Sequence, residues 1–137
     1  MRRFPGSRRH PHFSRPTLDD TLRERGIGYA WLPELGGRRQ PLSQSPNTVW
    51  RNASFRGYAD YMMTPEFASA LDALLALAGD SRTATMCAEA VWWRCHRALI
   101  ADALVARGID VVHILELDQS RFSAAFGESE LRRTRTG

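Results

Sequence analysis

The sequence predicts an α/β chain with a Rossmann-like three-layer fold built on a small, mostly parallel sheet. Two observations carry this expectation. Helical and strand-like segments alternate along the chain, in the order helix, strand, helix, strand, helix, strand. Three short apolar runs, Gly28–Leu32 (GYAWL), Thr83–Cys87 (TATMC) and Asp110–Leu115 (DVVHIL), have the aromatic and β-branched content of strands.

Each element has a local reason. Residues 1–16 are rich in Arg, His, Pro and Gly, with no acid before Asp19, and read as an extended segment. Thr17 is an N-cap for the short helix LDDTLRER, which carries acids in its first turn and Arg in its last and stops at Gly26. After the first strand, Pro33 to Phe55 is full of Gly, Pro, Ser and Asn and reads as a long loop, a kind of segment that is usually functional or disordered. Tyr58 to Met63 is a short helix. Thr64-Pro65 is an N-cap followed by Pro at the first helical position, and Phe67, Leu71, Leu74, Leu75 and Ala78 then line one helical face up to Gly79. The second strand precedes a helix from Arg94 to Arg107 that Gly108 caps, and the third strand follows. The tail carries a weak helical piece at Phe122 to Phe126. One domain is expected over 1–118, with 119–137 a partly disordered C-terminal extension. Three strands make a narrow sheet and the chain opens abruptly at Arg2, so a further strand and helix are expected upstream and the fold is read as N-terminally truncated.

Composition excludes several classes. The chain has 137 residues, 43% hydrophobic and 25% charged, as in an ordinary globular domain able to bury one core. Two cysteines are too few for a disulfide framework, no apolar run reaches a membrane span, and the basic N-terminus has no apolar stretch after it to make a secretory signal. A reducing, cytoplasmic location is expected. The net charge of +4 is unevenly spread: residues 1–59 hold 11 Arg against 4 acids, and residues 60–137 hold 8 Arg against 11. A basic half suits an anionic partner such as a phosphate, nucleotide or nucleic acid. All 19 basic residues are Arg, however, which also fits a genome-wide composition bias.

The residues with the most chemistry lie between Arg82 and Arg107. Cys87, Glu89, Cys95, His96 and Arg97 fall where the second strand ends and the next helix begins, and ligands bind at that edge of an open α/β sheet. A thiol beside a helix N-terminus, an Arg and a His is favoured as thiolate, so Cys87 or Cys95 is a candidate nucleophile. Glu89 and His96 are candidates for moving protons, and Arg97 for holding an oxyanion or phosphate. Against this stands the role of many cysteines as small buried hydrophobes. Zinc is another reading, with Cys87, Cys95 and His96 joined by Glu89, His10 or His12, although C-x7-C-H is not a usual ligand spacing. A redox pair of Cys87 and Cys95 is a third.

Two cationic clusters, Arg8-Arg9-His10 and Gly36-Gly37-Arg38-Arg39, together with Arg56 and Arg97, are candidates for an anion pocket over the cysteines; solvated basic surface is the plainer reading. Trp50, Asn52, Phe55, Arg56, Tyr58 and Tyr61 interleave aromatic and polar groups in a pattern that can stack bases, although such aromatics more often anchor a loop to a core. Trp92-Trp93 is placed to wall the pocket, and His113, mid-strand among apolar residues, reads as structural. No cofactor is implied, and no membrane; the implied partner is an anionic small molecule or nucleic acid.

The segments FPGSRRHPHFSR, YAWLPELGGRR and FRGYADYM and the MCAE…CHR block, in that order, resemble domain-of-unknown-function family 488, a group of uncharacterised bacterial and archaeal proteins, from Arg3 to about Leu115. The resemblance implies a compact α/β fold and no established activity. It carries over to Arg8, Arg9, His10 and Phe13, to Leu35 through Arg39, to Tyr58 through Tyr61, and to Cys87, Glu89, Cys95, His96 and Arg97. Members begin with a strand, a helix and a further strand that this chain lacks, so exposed core surface is expected. The reading is an enzyme acting on a nucleotide, nucleic-acid or other phosphorylated substrate through an Arg-rich pocket with a Cys/Glu/His cluster. A non-catalytic binding module for the same ligands, or a zinc or thiol-redox site, is the alternative.

Overall fold

A computed structural model describes residues 11–89 and 91–114, and over them the chain is helical. Helix α1 spans Arg15–Glu24, α2 Ala53–Met62, α3 Pro65–Asp80 and α4 Arg97–Ala106, with 3-10 turns at Pro11–Phe13, Pro33–Leu35 and Trp92–Arg94. The chain divides into two compact units after Ala88.

The parallel sheet expected from the sequence is absent: no strand forms among the described residues, and Val112 alone is an isolated bridge residue. The three-layer Rossmann-like reading is therefore overturned. A helix closes its hydrogen bonds within four residues and needs only a local sequence. A strand needs a neighbour to pair with, and its stability lies in cross-strand contacts. Residues 28–32 and 83–87 find no such neighbour among the described residues and are mostly exposed. The third run, as far as 114, is irregular apart from that bridge, and Leu115 lies outside the described residues.

The helix signals hold better. Thr64 caps α3, its hydroxyl accepting from the Phe67 amide at 3.3 Å, with Pro65 in the first turn. Gly26 and Gly108 both adopt positive φ, +73° and +80°, one residue past the caps of α1 and α4. In each case two amides fold back: Gly26 and Ile27 donate to Arg23 and Leu22, and Gly108 and Ile109 to Val105 and Leu104, which satisfies the last carbonyls. The starts moved. Ser14, not Thr17, is the N-cap of α1, and Pro16 sits in its first turn. Helix α2 begins five residues earlier than expected because Asn52 caps it, its side-chain oxygen accepting from Ser54 at 2.8 Å and Phe55 at 3.3 Å. Helix α4 begins at Arg97; the residues Trp92–Arg94 before it form a 3-10 turn.

The core of the first unit is built on α2 and α3. Tyr58 is 1% exposed and Leu71 1%, with Phe67, Ala70 and Leu74 of α3 and Leu35 also buried. Tyr58, Tyr61 and Phe67 meet edge to face at 5.9–6.0 Å. Helix α3 packs on the Pro33–Leu35 turn and on α2. In the second unit Leu99, Ile100 and Ala101 are the buried face of α4.

Candidate functional site

The long loop from Pro33 to Asn52 is held on α2 by the residues that the sequence offered as ligand contacts. Tyr58 donates its hydroxyl to the Leu35 carbonyl at 2.8 Å, and Tyr61 donates to the Glu34 carbonyl at 2.7 Å. The Arg39 guanidinium lies 3.7 Å from the centre of the Tyr61 ring and donates to the carbonyls of Gly36 and Glu34, at 3.3 and 3.1 Å. Gly57 lets the loop touch the helix: a Cβ there would stand 2.1 Å from the Arg39 carbonyl oxygen. Arg56 donates to the Trp50 carbonyl at 3.3 Å, and the Trp50 ring stacks on Phe55 at 5.5 Å.

Asp60 is the hub of this loop; the family resemblance covers it, and no local pattern singled it out. Buried to 5% exposure, its carboxylate accepts from the Ser45 hydroxyl at 2.6 Å, the Asn47 amide side chain at 2.7 Å and the Leu42 backbone N–H at 2.8 Å. The Ser45 bond, then those of Asn47 and Leu42 and the charge of Arg56, hold its carboxyl below the usual range, against the opposing effect of burial. Arg39 of this loop and Arg56 and Tyr58 of α2 are occupied in holding the loop backbone. Arg38 differs: it is exposed and sits at φ +61°, a left-handed conformation that costs a non-glycine residue about 1–2 kcal/mol.

The second unit gathers the thiol chemistry. Cys95 stands two residues before α4, half-buried. Its sulfur accepts from both the backbone N–H and the Nε–H of Arg97, at 3.4 and 3.1 Å, and its thiol donates to the Trp92 carbonyl at 3.6 Å. The Arg97 guanidinium also donates to the Glu89 carbonyl. Two N–H donors, one of them cationic, stabilise sulfur when it carries negative charge; the Trp92 carbonyl favours the protonated form. The Glu89 side chain turns back to its own loop, accepting from the Val91 amide at 3.4 Å. His96 is the N-cap of α4 but makes no side-chain capping bond.

His113, expected to be structural, packs against this cluster. The His113 ring lies flat on Trp92, centroids 3.5 Å apart and planes 8° from parallel. Burial chiefly, and then the Arg97 charge, push its imidazole below the usual histidine value, with Asp102 opposing. Trp93 meets Trp92 edge-on at 5.7 Å, and the Trp92 indole N–H is buried without a hydrogen-bond partner.

The structure thus brings together Glu89, Cys95, His96 and Arg97 in one short segment. Cys87 is half-buried near the end of the first unit, and Arg38, Arg39, Arg56 and Tyr58 also belong to that unit. With no sheet among the described residues, the strand-end edge expected to unite these groups does not form there. Arg8, Arg9 and His10 lie outside the described residues. Among the described residues no group of three Cys, His, Asp or Glu side chains could hold a metal ion, so the zinc alternative gains no support from them. No helix among them is long and apolar enough to cross a membrane. An open depression of about 500 Å³ lies between the Pro33–Leu35 turn and α3, with Glu34, Pro65 and Ser69 among its lining residues, and contains none of the candidates.

The profile of a family described as "Domain of unknown function DUF488" matches residues 1–104. No curated protein and no solved structure matches the chain.

Proposed function

The chain belongs to the DUF488 family, and on that premise we propose that it is an enzyme using Cys95 as nucleophile on a phosphorylated substrate, a nucleotide or nucleic acid being the class its basic half suits. One observation carries the proposal: the Cys95 sulfur sits at the start of α4 under two N–H groups of Arg97. The guanidinium supports both the ionised sulfur and an anionic group brought up to it. In the reaction, sulfur bonds to the substrate phosphorus and the bond from phosphorus to the leaving oxygen breaks. That oxygen takes a proton from the His96 imidazolium and leaves as an alcohol. Water then attacks the phosphorus, gives its proton back to the His96 imidazole and displaces the sulfur as thiolate, releasing phosphate from a monoester or a phosphomonoester from a nucleic-acid strand. Cys87 has no part in this scheme.

Protection from alkylation tests the substrate class. Inorganic phosphate or AMP at millimolar concentration should slow iodoacetamide labelling of Cys95, read by peptide mass, and leave Cys87 unaffected. Arg97→Ala should abolish the protection. Equal labelling of Cys95 with and without both anions would exclude an anionic substrate at this sulfur.

A further inference from the structure

Resting on the Cys95 reading, we propose that Trp93 is the base platform of that centre. Its indole stacks the nucleobase of a nucleoside 5′-phosphate, free or at the end of a strand, whose phosphate lies on Arg97 and Cys95. The two subsites are joined by a short run of chain. Trp93 stands two residues before Cys95, in the 3-10 turn Trp92–Arg94, and Cα atoms two residues apart are separated by at most about 7 Å. That turn is tied to the sulfur directly. The Cys95 thiol donates to the Trp92 carbonyl at 3.6 Å, and the Cys95 amide donates to the same oxygen at 3.3 Å. The Arg97 Nε–H reaches the sulfur at 3.1 Å.

The aromatic packing leaves this ring open. Trp93 is 56% exposed, whereas Trp92 is half-buried. The two indoles meet at 88°, with centroids 5.7 Å apart. One face of Trp92 is already covered by the His113 ring, stacked at 3.5 Å. If the edge of Trp93 meets the other face of Trp92, both Trp93 faces stand clear of its neighbour. If the edge of Trp92 meets Trp93, one face still does. The His113 stack also holds in place the ring against which Trp93 rests, so the platform is formed before a ligand arrives. Arg94, next in the turn, is exposed and adds a second cation. A flat ring beside two guanidinium groups matches a ligand that is flat at one end and anionic at the other. Stacking reads the face of a base and not its edge, so it selects bases as a class. The broad purine of AMP is therefore a suitable probe.

The test is the concentration of inorganic phosphate, ribose 5-phosphate or AMP that halves iodoacetamide labelling of Cys95, in the wild type, Trp93→Ala and Trp93→Phe. In the wild type AMP should act at about tenfold lower concentration than ribose 5-phosphate, the size of one stacked base. W93A should bring AMP to the level of ribose 5-phosphate, while both sugar phosphate and inorganic phosphate keep their wild-type values. W93F, which keeps a flat ring, should retain part of the AMP advantage. A 5′-phosphorylated oligoadenylate, compared with AMP, separates two sources of the same chemistry: AMP acting at the lower concentration marks a free nucleotide, and the oligomer doing so marks a strand end. AMP no better than ribose 5-phosphate in the wild type overturns the inference, and so does an AMP advantage that survives W93A. If none of the anions protects Cys95, the Cys95 reading itself fails, so the two failures are distinct. The wild-type comparison needs no variant and decides even where the variants do not fold.

Discussion

Two glycines lie in helices of the first unit, and the structure assigns them opposite responses to the same substitution. Alanine in a helix interior is favoured over glycine by about 0.8–1.0 kcal/mol. Gly79, near the end of α3, has nothing within 4 Å of a built Cβ, so Gly79→Ala should stabilise the chain by up to about 1 kcal/mol. Gly57, in α2, faces the loop. Its Cβ would stand 2.1 Å from the Arg39 oxygen, 2.7 Å from the Arg39 carbon and 2.8 Å from the Gln40 carbon, where ordinary contact begins at 3.4 Å. All three atoms are backbone, so relief requires the loop to retreat by more than an ångström. That movement pulls on the Arg39 contacts with Tyr61 and with the carbonyls of Glu34 and Gly36. Overpacking costs about 1–3 kcal/mol, and a contact this short with unyielding backbone belongs to the upper part of that range, about 2–3 kcal/mol. After the helical gain, Gly57→Ala should destabilise by about 1–2 kcal/mol. Urea denaturation followed by far-UV circular dichroism, with the denaturant slope unchanged, measures both variants. A Gly57→Ala protein as stable as the wild type would refute the close approach of loop and helix.

The same loop yields two further expectations. The Asp60 carboxyl titrates below its unfolded value in the folded chain, so its contribution to stability is present above the unfolded value and is lost as pH falls through the folded one. Asp60→Asn should flatten stability against pH across the acid range, and an unchanged acid limb in urea titrations would count against the Ser45, Asn47 and Leu42 bonds. Tyr58→Phe removes the hydroxyl that satisfies the Leu35 carbonyl beside a fully buried ring, and should cost about 1–3 kcal/mol by the same denaturation assay. A cost near zero would mean that the carbonyl finds another donor.

What could be read in the sequence was local. Thr64-Pro65 and the glycines at 26 and 108 punctuate helices through backbone chemistry that spans a few residues, and they stand where expected. The three apolar runs were read as strands because their residue types suit strands, but pairing is a property of two segments and no run contains its partner. Asn52 was overlooked because Asn-Ala-Ser inside a loop-like stretch looks like more loop until its side chain turns onto Ser54 and Phe55. The Asp60 hub joins residues 13 to 18 positions apart, and nothing in the local pattern at Asp60 announces those bonds. The arginines show the limit most plainly. Composition marked them as cations for an anion, whereas Arg39 and Arg56 point at carbonyls of the loop, and Arg39 also at the Tyr61 ring of α2. At Cys95 the contacts are local, since the thiol, the guanidinium and the helix start lie within three residues.

The central claim is that Arg97 activates Cys95, and the most direct measurement is the iodoacetamide rate at Cys95 near pH 7 in the wild type and in Arg97→Ala, with Cys87 as internal reference. Losing one charge-assisted bond to a half-buried sulfur lowers the thiolate population about tenfold. The gain in intrinsic nucleophilicity of the more basic thiolate returns part of that, leaving a rate about threefold lower. The account predicts this drop at Cys95 alone, with Cys87 unchanged in both proteins. Equal rates at Cys95 in the two proteins would contradict it, and would leave the sulfur a packed side chain at the start of α4.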